Sequence, residues 1–241
     1  MQSLNTILFA DTRSNHNNKD IVGFVSRIST VNATHKIGTM LSTYILDKHE
    51  NPIEAITAGR DESFCGLCPK RPSVAKFDPT QPACYERGVG ANQVWNSYAK
   101  GKVSEPKPVH WELIKGRGLR MGSHGDPSMF PLSTWKPLLD VCSFHTGYTS
   151  MWREEYAQEY KGLVQASCTS LSEYEEAVAN GWTGTYTTYP IDVNLDDMPG
   201  IECPNNKDKS VKCSACRLCD GKHHIKNHDH GLVWKVRKVS V

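Results

Sequence analysis

The sequence predicts an α/β fold: a shortened or irregular βα barrel with an N-terminal β-rich segment and a C-terminal cysteine-rich metal knuckle. Strand-like and helix-like stretches alternate about every 20 residues beyond Gly118, the spacing that parallel neighbours need for a helical crossover. The 241 residues supply about six such units, short of the eight in a full barrel of about 250 residues. Seven of the nine cysteines fall in two clusters, a pattern that favours metal ligands over disulfides in a reducing compartment.

Residues 1–60 form the β-rich segment. Ile21 to Ile28 and Ile37 to Leu46 are rich in branched and aromatic residues with partial alternation. Asn51-Pro52 punctuates the chain, and a short strand is expected around Ala55-Ile56-Thr57. Residues 61–117 carry the first cysteine cluster in a proline-rich loop (61–90). A helix from Ala91 to Lys100 and a linker with two prolines (102–110) follow.

The βα repeats occupy 118–200. A strand at Leu119 to Ser123 leads through a Gly-Asp-Pro turn into a helix over Leu132 to Cys142. Next come a strand at Phe144 to Thr149 and a helix over Trp152 to Tyr160. The third unit is a strand at Leu163 to Ser167 and a helix over Ser172 to Asn180, with Asn180-Gly181 as its cap. A strand at Gly184 to Tyr189 follows. Residues 201–241 hold the second cluster, a basic tail and a closing strand at Leu232 to Val239.

Composition sets limits on function. With 38% hydrophobic and 22% charged residues the chain buries a core and is not disordered. No apolar run approaches the roughly 20 residues of a membrane span, and Ile7 to Ala10 is too short for a secretory signal. The expectation is a protein of the cytoplasm with no membrane partner. Net charge is only +2, yet residues 203–241 carry nine Lys/Arg against three Asp. That basic end is either a contact for a polyanion such as DNA, with Lys235, Arg237 and Lys238 as its tip, or a solvated tail.

The late cluster is Cys203-Pro204 followed by Cys213-x-x-Cys216-x-x-Cys219. A two-residue spacer lets two thiolates reach one metal at about 2.3 Å, and four cysteines complete a tetrahedron. Zinc is the ordinary occupant; a 4Fe-4S cluster is the rival, since Cys-x-x-Cys-x-x-Cys also opens ferredoxin-type sites. His223, His224, His228 and His230 either replace one cysteine or form a surface tract. The early cluster is Cys65-Gly66-Leu67-Cys68, then Cys84. Three thiolates hold three irons of a cubane and leave the fourth open, share zinc with another ligand, or serve a redox or structural role. Cys142 reads as a core thiol, and Cys168, just after a strand, either as a core thiol or as a residue near an active-site rim.

Met121-Gly122-Ser123-His124-Gly125-Asp126-Pro127 lies between a strand and a helix, at the carboxyl end of the sheet where βα folds bind ligands. Asp126 is there either a nucleophile or base, with His124 as an acid/base neighbour, or the N-cap of the following helix. Tyr148, Trp152, Trp182, Tyr186 and Tyr189 either stack a base or pack the core.

Cys65 to Pro69, Ala83-Cys84-Tyr85, Gly122-x-x-Gly125-Asp126-Pro127, Thr146 to Thr149 and the stretch from Cys203 to Gly221 together resemble a family of phage proteins of uncharacterised activity, over residues 60–235. The chain is also similar to the tRNA-guanine transglycosylase superfamily, in particular its small phage members that insert 7-deazaguanines into DNA. That likeness implies a zinc-bearing pentosyltransferase, a glycosyltransferase for DNA modification. Its aspartate nucleophile would be Asp126, with Asp192 a second carboxylate and a modified purine base as substrate. Its zinc pattern is Cys-x-Cys-x-x-Cys, unlike the one here. A further likeness is to radical S-adenosylmethionine enzymes, whose glycine-rich Glu-Pro turn after the second strand resembles Gly125-Asp126-Pro127. It implies a 4Fe-4S cluster with S-adenosylmethionine on Cys65, Cys68 and Cys84, although Cys84 lies farther along the chain than that family's third cysteine. The remaining alternative is a non-catalytic, zinc-stabilised nucleic-acid-binding protein.

Overall fold

The computed structural model describes residues 5–29, 35–75, 84 and 88–228. Three strands open the chain: β1 (Thr6–Arg13), β2 (Asp20–Ser26) and β3 (Leu41–Asp47). Then follow β4 (Gly118–His124), β5 (Phe144–Thr149), β6 (Gln165–Cys168) and β7 (Thr185–Tyr189), and last β8 (Ile201–Glu202) and β9 (His224–His228). They form one sheet in the order β1-β2-β3-β4-β5-β6-β7-β9-β8. The first two pairings are antiparallel. From β3 onward every pairing is parallel, and β3 to β7 lie side by side in chain order. The protein is α/β, with a mixed, mostly parallel sheet.

Helices cover both faces. The early ones are α1 (Pro52–Ala58), α2 (Glu62–Cys65), α3 (Pro72–Ala75) and α4 (Val89–Ala99). The later ones are α5 (Pro108–Ile114), α6 (Leu132–Leu139) and α7 (Leu171–Ala179). Leu41, Ile45, Leu119, Met121 and Ala166 project from the sheet into one core with Ile114 of α5, Trp135 and Leu138 of α6, and Ala177 of α7. On the other face Val22, Phe24 and Leu46 pack against Ala91 of α4. Burial on both faces explains why β2 and β3 show only partial alternation. Trp135, Trp152 and Trp182 are fully buried, and each indole N–H donates to a backbone carbonyl, of Pro127, Ser167 and Trp152 respectively.

Several expectations need correction. The strand expected at 55–57 is helix α1: the Asn51 carboxamide oxygen accepts from the Ile53 amide, Pro52 fills the first turn, and Gly59 closes it at φ 70°. The proline-rich loop contains the helical turns α2 and α3, and the linker ends in α5, which Pro108 starts. The helix expected over 152–160 is a 3₁₀ segment, Glu155–Tyr160, because Gln158 donates to the carbonyls of Trp152 and Glu154 and draws the chain into tight turns. Strand β9 runs through the histidine tract. The Leu232 to Val239 strand and the basic tail lie outside the described residues.

Candidate functional site at the carboxyl ends of the strands

The early cysteine loop is folded back over the carboxyl ends of the parallel strands. The Asp126 amide, just beyond β4, donates to the Phe64 carbonyl at 2.7 Å. The Leu67 amide meets the Met151 sulfur at 3.1 Å, just beyond β5. Lys70 Nζ donates to Thr188 Oγ1 of β7 at 3.2 Å, and the Cys84 amide donates to the Lys70 carbonyl at 2.8 Å. Ser150 also hydrogen-bonds the Cys68 thiol. Cys65, Cys68 and Cys84 are thereby gathered at the mouth formed by β4, β5 and β7.

One buried arginine shapes this loop. Arg71 donates from Nε to Asp61 at 2.9 Å, from one terminal nitrogen to the Gly66 carbonyl at 3.0 Å and Glu62 at 3.2 Å, and from the other to the Gly59 carbonyl at 3.2 Å. Only a planar fork with five donors reaches so many acceptors at once. Nothing in the sequence marks Arg71, because two of its partners are backbone carbonyls and the two carboxylates lie nine and ten residues away.

Glycines make the approach possible. Gly125 has φ 80°, and a Cβ there would sit 2.8 Å from the Ile45 carbonyl and 2.9 Å from the Phe64 carbonyl. Both the left-handed backbone and the lack of a side chain are required for the turn to lie against the loop.

Asp126 is buried and caps the 3₁₀ turn Pro127–Met129. Oδ1 accepts from the Ser128 amide at 3.0 Å and the Ser128 hydroxyl at 2.8 Å; Oδ2 accepts from the Ser150 amide at 2.7 Å. Burial raises its pKa, while these donors pull it down. Of the two roles open to Asp126, the structure displays the cap. His124 is buried beside Phe64, ring centroids 5.5 Å apart. Among the described residues neither of its ring nitrogens has a hydrogen-bond partner, and burial pushes its pKa down to about 4. Asp192 is exposed in the turn after β7.

The late cysteines gather elsewhere. The Cys213 amide donates to the Lys36 carbonyl, before β3, at 3.0 Å, and Arg217 lies 4.2 Å from the ring of Phe144, the first residue of β5. Cys203, Cys213, Cys216 and Cys219 line one cavity at these amino ends. The two cysteine sets therefore occupy opposite ends of the sheet. His223 pairs with Asp220 and His224 with Thr185, so neither joins the four cysteines, and His230 lies outside the described residues.

Burial pushes the Cys65 thiol far up, with Asp61 and the two neighbouring cysteines adding to the effect, and burial also raises Cys68. Burial raises Cys213 and pushes Cys219 up to about 12. Such thiols hold their protons until a metal cation replaces them. Among the described residues no three His, Cys, Asp or Glu side chains stand in a metal-holding arrangement, so the sulfurs of each set are neighbours and not a formed coordination sphere. Cys168 is buried in the core at the end of β6, and Cys142 is half-buried after α6. Trp152 and Trp182 are core residues, whereas Tyr148 and Tyr186 stack on each other at 4.5 Å near the late cysteines. Among the described residues no helix is long and apolar enough to cross a membrane. No family model, curated protein or solved structure matches the chain.

Proposed function

We propose that the protein is an iron–sulfur enzyme of the radical S-adenosylmethionine kind, with its site at the carboxyl ends of β3 to β7 read as a partial barrel. One observation carries this reading: the loop after the first parallel strand brings Cys65, Cys68 and Cys84 onto the glycine-rich turn after the second, joined by the Asp126–Phe64 hydrogen bond. Parallel strands laid down in chain order, with no reversal, direct their loops to one mouth.

The donor set fits a cluster in kind and number. Three half-buried thiols, with Cys68 and Cys84 near enough to raise the pKa of Cys65, match in number the ligands of three irons of a cubane, and their sulfurs must draw together on binding. When bound, such a cluster supplies the one electron that splits the C5′–S bond of S-adenosylmethionine into methionine and a 5′-deoxyadenosyl radical. The chain's own residues have separate tasks. Arg71 fixes the shape of the loop, and the Gly125 turn seats it over the strand ends. Met151, against the Leu67 amide, and Phe64, beside His124, are buried beneath the loop and close its inner side to water.

Base exchange on DNA through Asp126 would require that carboxylate to give up three hydrogen bonds before attacking. The discriminating experiment is anaerobic: the reduced protein is incubated with S-adenosylmethionine, and 5′-deoxyadenosine and methionine are quantified. Their formation by the unaltered chain and loss in Cys68→Ser supports the proposal. A colourless preparation that exchanges labelled guanine into DNA overturns it.

A further inference from the structure

The amino-end cavity carries a different chemistry. It measures about 30 Å³ and is lined by Cys203, Cys213, Cys216 and Cys219 together with Arg120 and Tyr148. We propose that these four cysteines take a single thiophilic divalent ion of the zinc class, with Arg120 as the positioning residue whose buried charge holds them as a tetrathiolate. The site lies at the opposite end of the strands from Cys65, Cys68 and Cys84, so the inference stands apart from the enzyme reading.

Size selects the occupant. A cavity of about 30 Å³, with room for about one or two waters, favours one ion over four irons with their sulfides. Thiolates select a soft or borderline cation over calcium or magnesium. Charge then asks for compensation, because four thiolates around a divalent ion leave a net charge of −2. Among the described residues the charged groups lining the cavity are all cationic: Lys36, Arg120, Lys212 and Arg217. Arg120 alone of these is buried, at 8% exposure. Its guanidinium lies 4.2 Å from the centre of the Tyr148 ring, and the Tyr148 hydroxyl donates to the Cys219 sulfur. A cation and a hydroxyl donor thus reach the thiolates from the sheet itself, as outer partners of metal ligands do.

Position gives the ion its task. The Cys203 amide donates to the Lys226 carbonyl of β9 at 3.0 Å, and the Gly147 amide of β5 donates to the Cys219 carbonyl at 3.2 Å. An ion shared by the four sulfurs ties β5, β9 and the Lys36 segment into one unit.

The test uses the full chain with Cys65, Cys68 and Cys84 all changed to Ser. The expected result is one zinc per chain in a colourless protein. Cobalt in its place gives the sulfur-to-metal charge-transfer band of a four-thiolate tetrahedron, and Cys216→Ser loses both. Arg120→Gln releases zinc to a chelator about tenfold faster than its parent, and Arg120→Lys falls between. If Arg120→Gln does not fold, Tyr148→Phe, which deletes only the hydroxyl donor, shifts the cobalt band and speeds release. Iron with sulfide in the triple variant, no bound metal, or parental zinc release from Arg120→Gln and Tyr148→Phe overturns the proposal.

Discussion

The amide of Asp126 donates to the carbonyl of Phe64 at 2.7 Å, and this bond joins the turn after β4 to the loop that carries Cys65 and Cys68. The contact depends on Gly125. Gly125→Ala adds left-handed strain of about 1–2 kcal/mol and forces a Cβ against two carbonyls. Chemical denaturation is expected to show a loss of about 2–4 kcal/mol, together with faster alkylation of Cys65 and Cys68. An unchanged stability would mean that the turn does not hold the loop.

Asp126 separates the two enzyme readings. Both carboxylate oxygens face donors only, so Asp126→Asn turns an amide N–H₂ toward the Ser150 or Ser128 N–H. The expected cost is about 1–3 kcal/mol in urea unfolding, from one lost bond and one buried donor left unpaired. A nucleophile replaced by its amide would in addition abolish base exchange, an activity that the cap alone does not predict.

Arg71 is buried against an equally buried Asp61, with 5% and 1% side-chain exposure. Arg71→Ala leaves that carboxylate uncompensated and is expected to cost about 3–5 kcal/mol. Arg71→Lys keeps the charge but cannot reach the carbonyls of Gly59 and Gly66 together, so it recovers only part of the loss. Thermal unfolding of the two variants beside the parent ranks them.

His124 makes stability sensitive to acid. Its folded pKa of about 4 lies below the unfolded value near 6.5, so between these values the unfolded chain binds the extra proton. Stability falls as the pH drops through that window, by about 3 kcal/mol in total. Asp126, raised by burial, runs the opposite way: its ionisation costs stability as pH rises through its folded value. His124→Phe, beside Phe64, is expected to match or exceed the parent at pH 7 and to exceed it by a growing margin toward pH 4. Parallel pH profiles for the two proteins would remove His124 from this role.

Much of the βα half was legible because its strands alternate with helices at regular spacing; β5, Phe144–Thr149, lies where its sequence places it. Strand β9 was not legible, since His-Ile-Lys-Asn-His has a single apolar residue. Its burial comes from partners distant in sequence, Asn227 on the Tyr186 hydroxyl at 2.6 Å and Lys226 on the Met198 carbonyl at 2.8 Å. Helix α1 misread as a strand because Ala55-Ile56-Thr57 has β-prone residues, while Asn51, Pro52 and Gly59 decide the matter as caps. In the candidate site the cysteines and the glycine turn stood out by residue type and spacing. Arg71, Lys70, Ser150 and Arg120 did not, for ordinary polar residues gain meaning only from what the fold sets beside them.

The central claim is that Cys65, Cys68 and Cys84 act as one ligand set at the carboxyl ends of the strands. Anaerobic reconstitution with iron and sulfide, read by iron content and electron paramagnetic resonance of the reduced protein, tests it most directly. About four irons per chain are expected, with a signal that changes when S-adenosylmethionine is added and disappears in the variant with all three cysteines changed to Ser. Equal iron content and spectra in that variant and its parent would contradict the account.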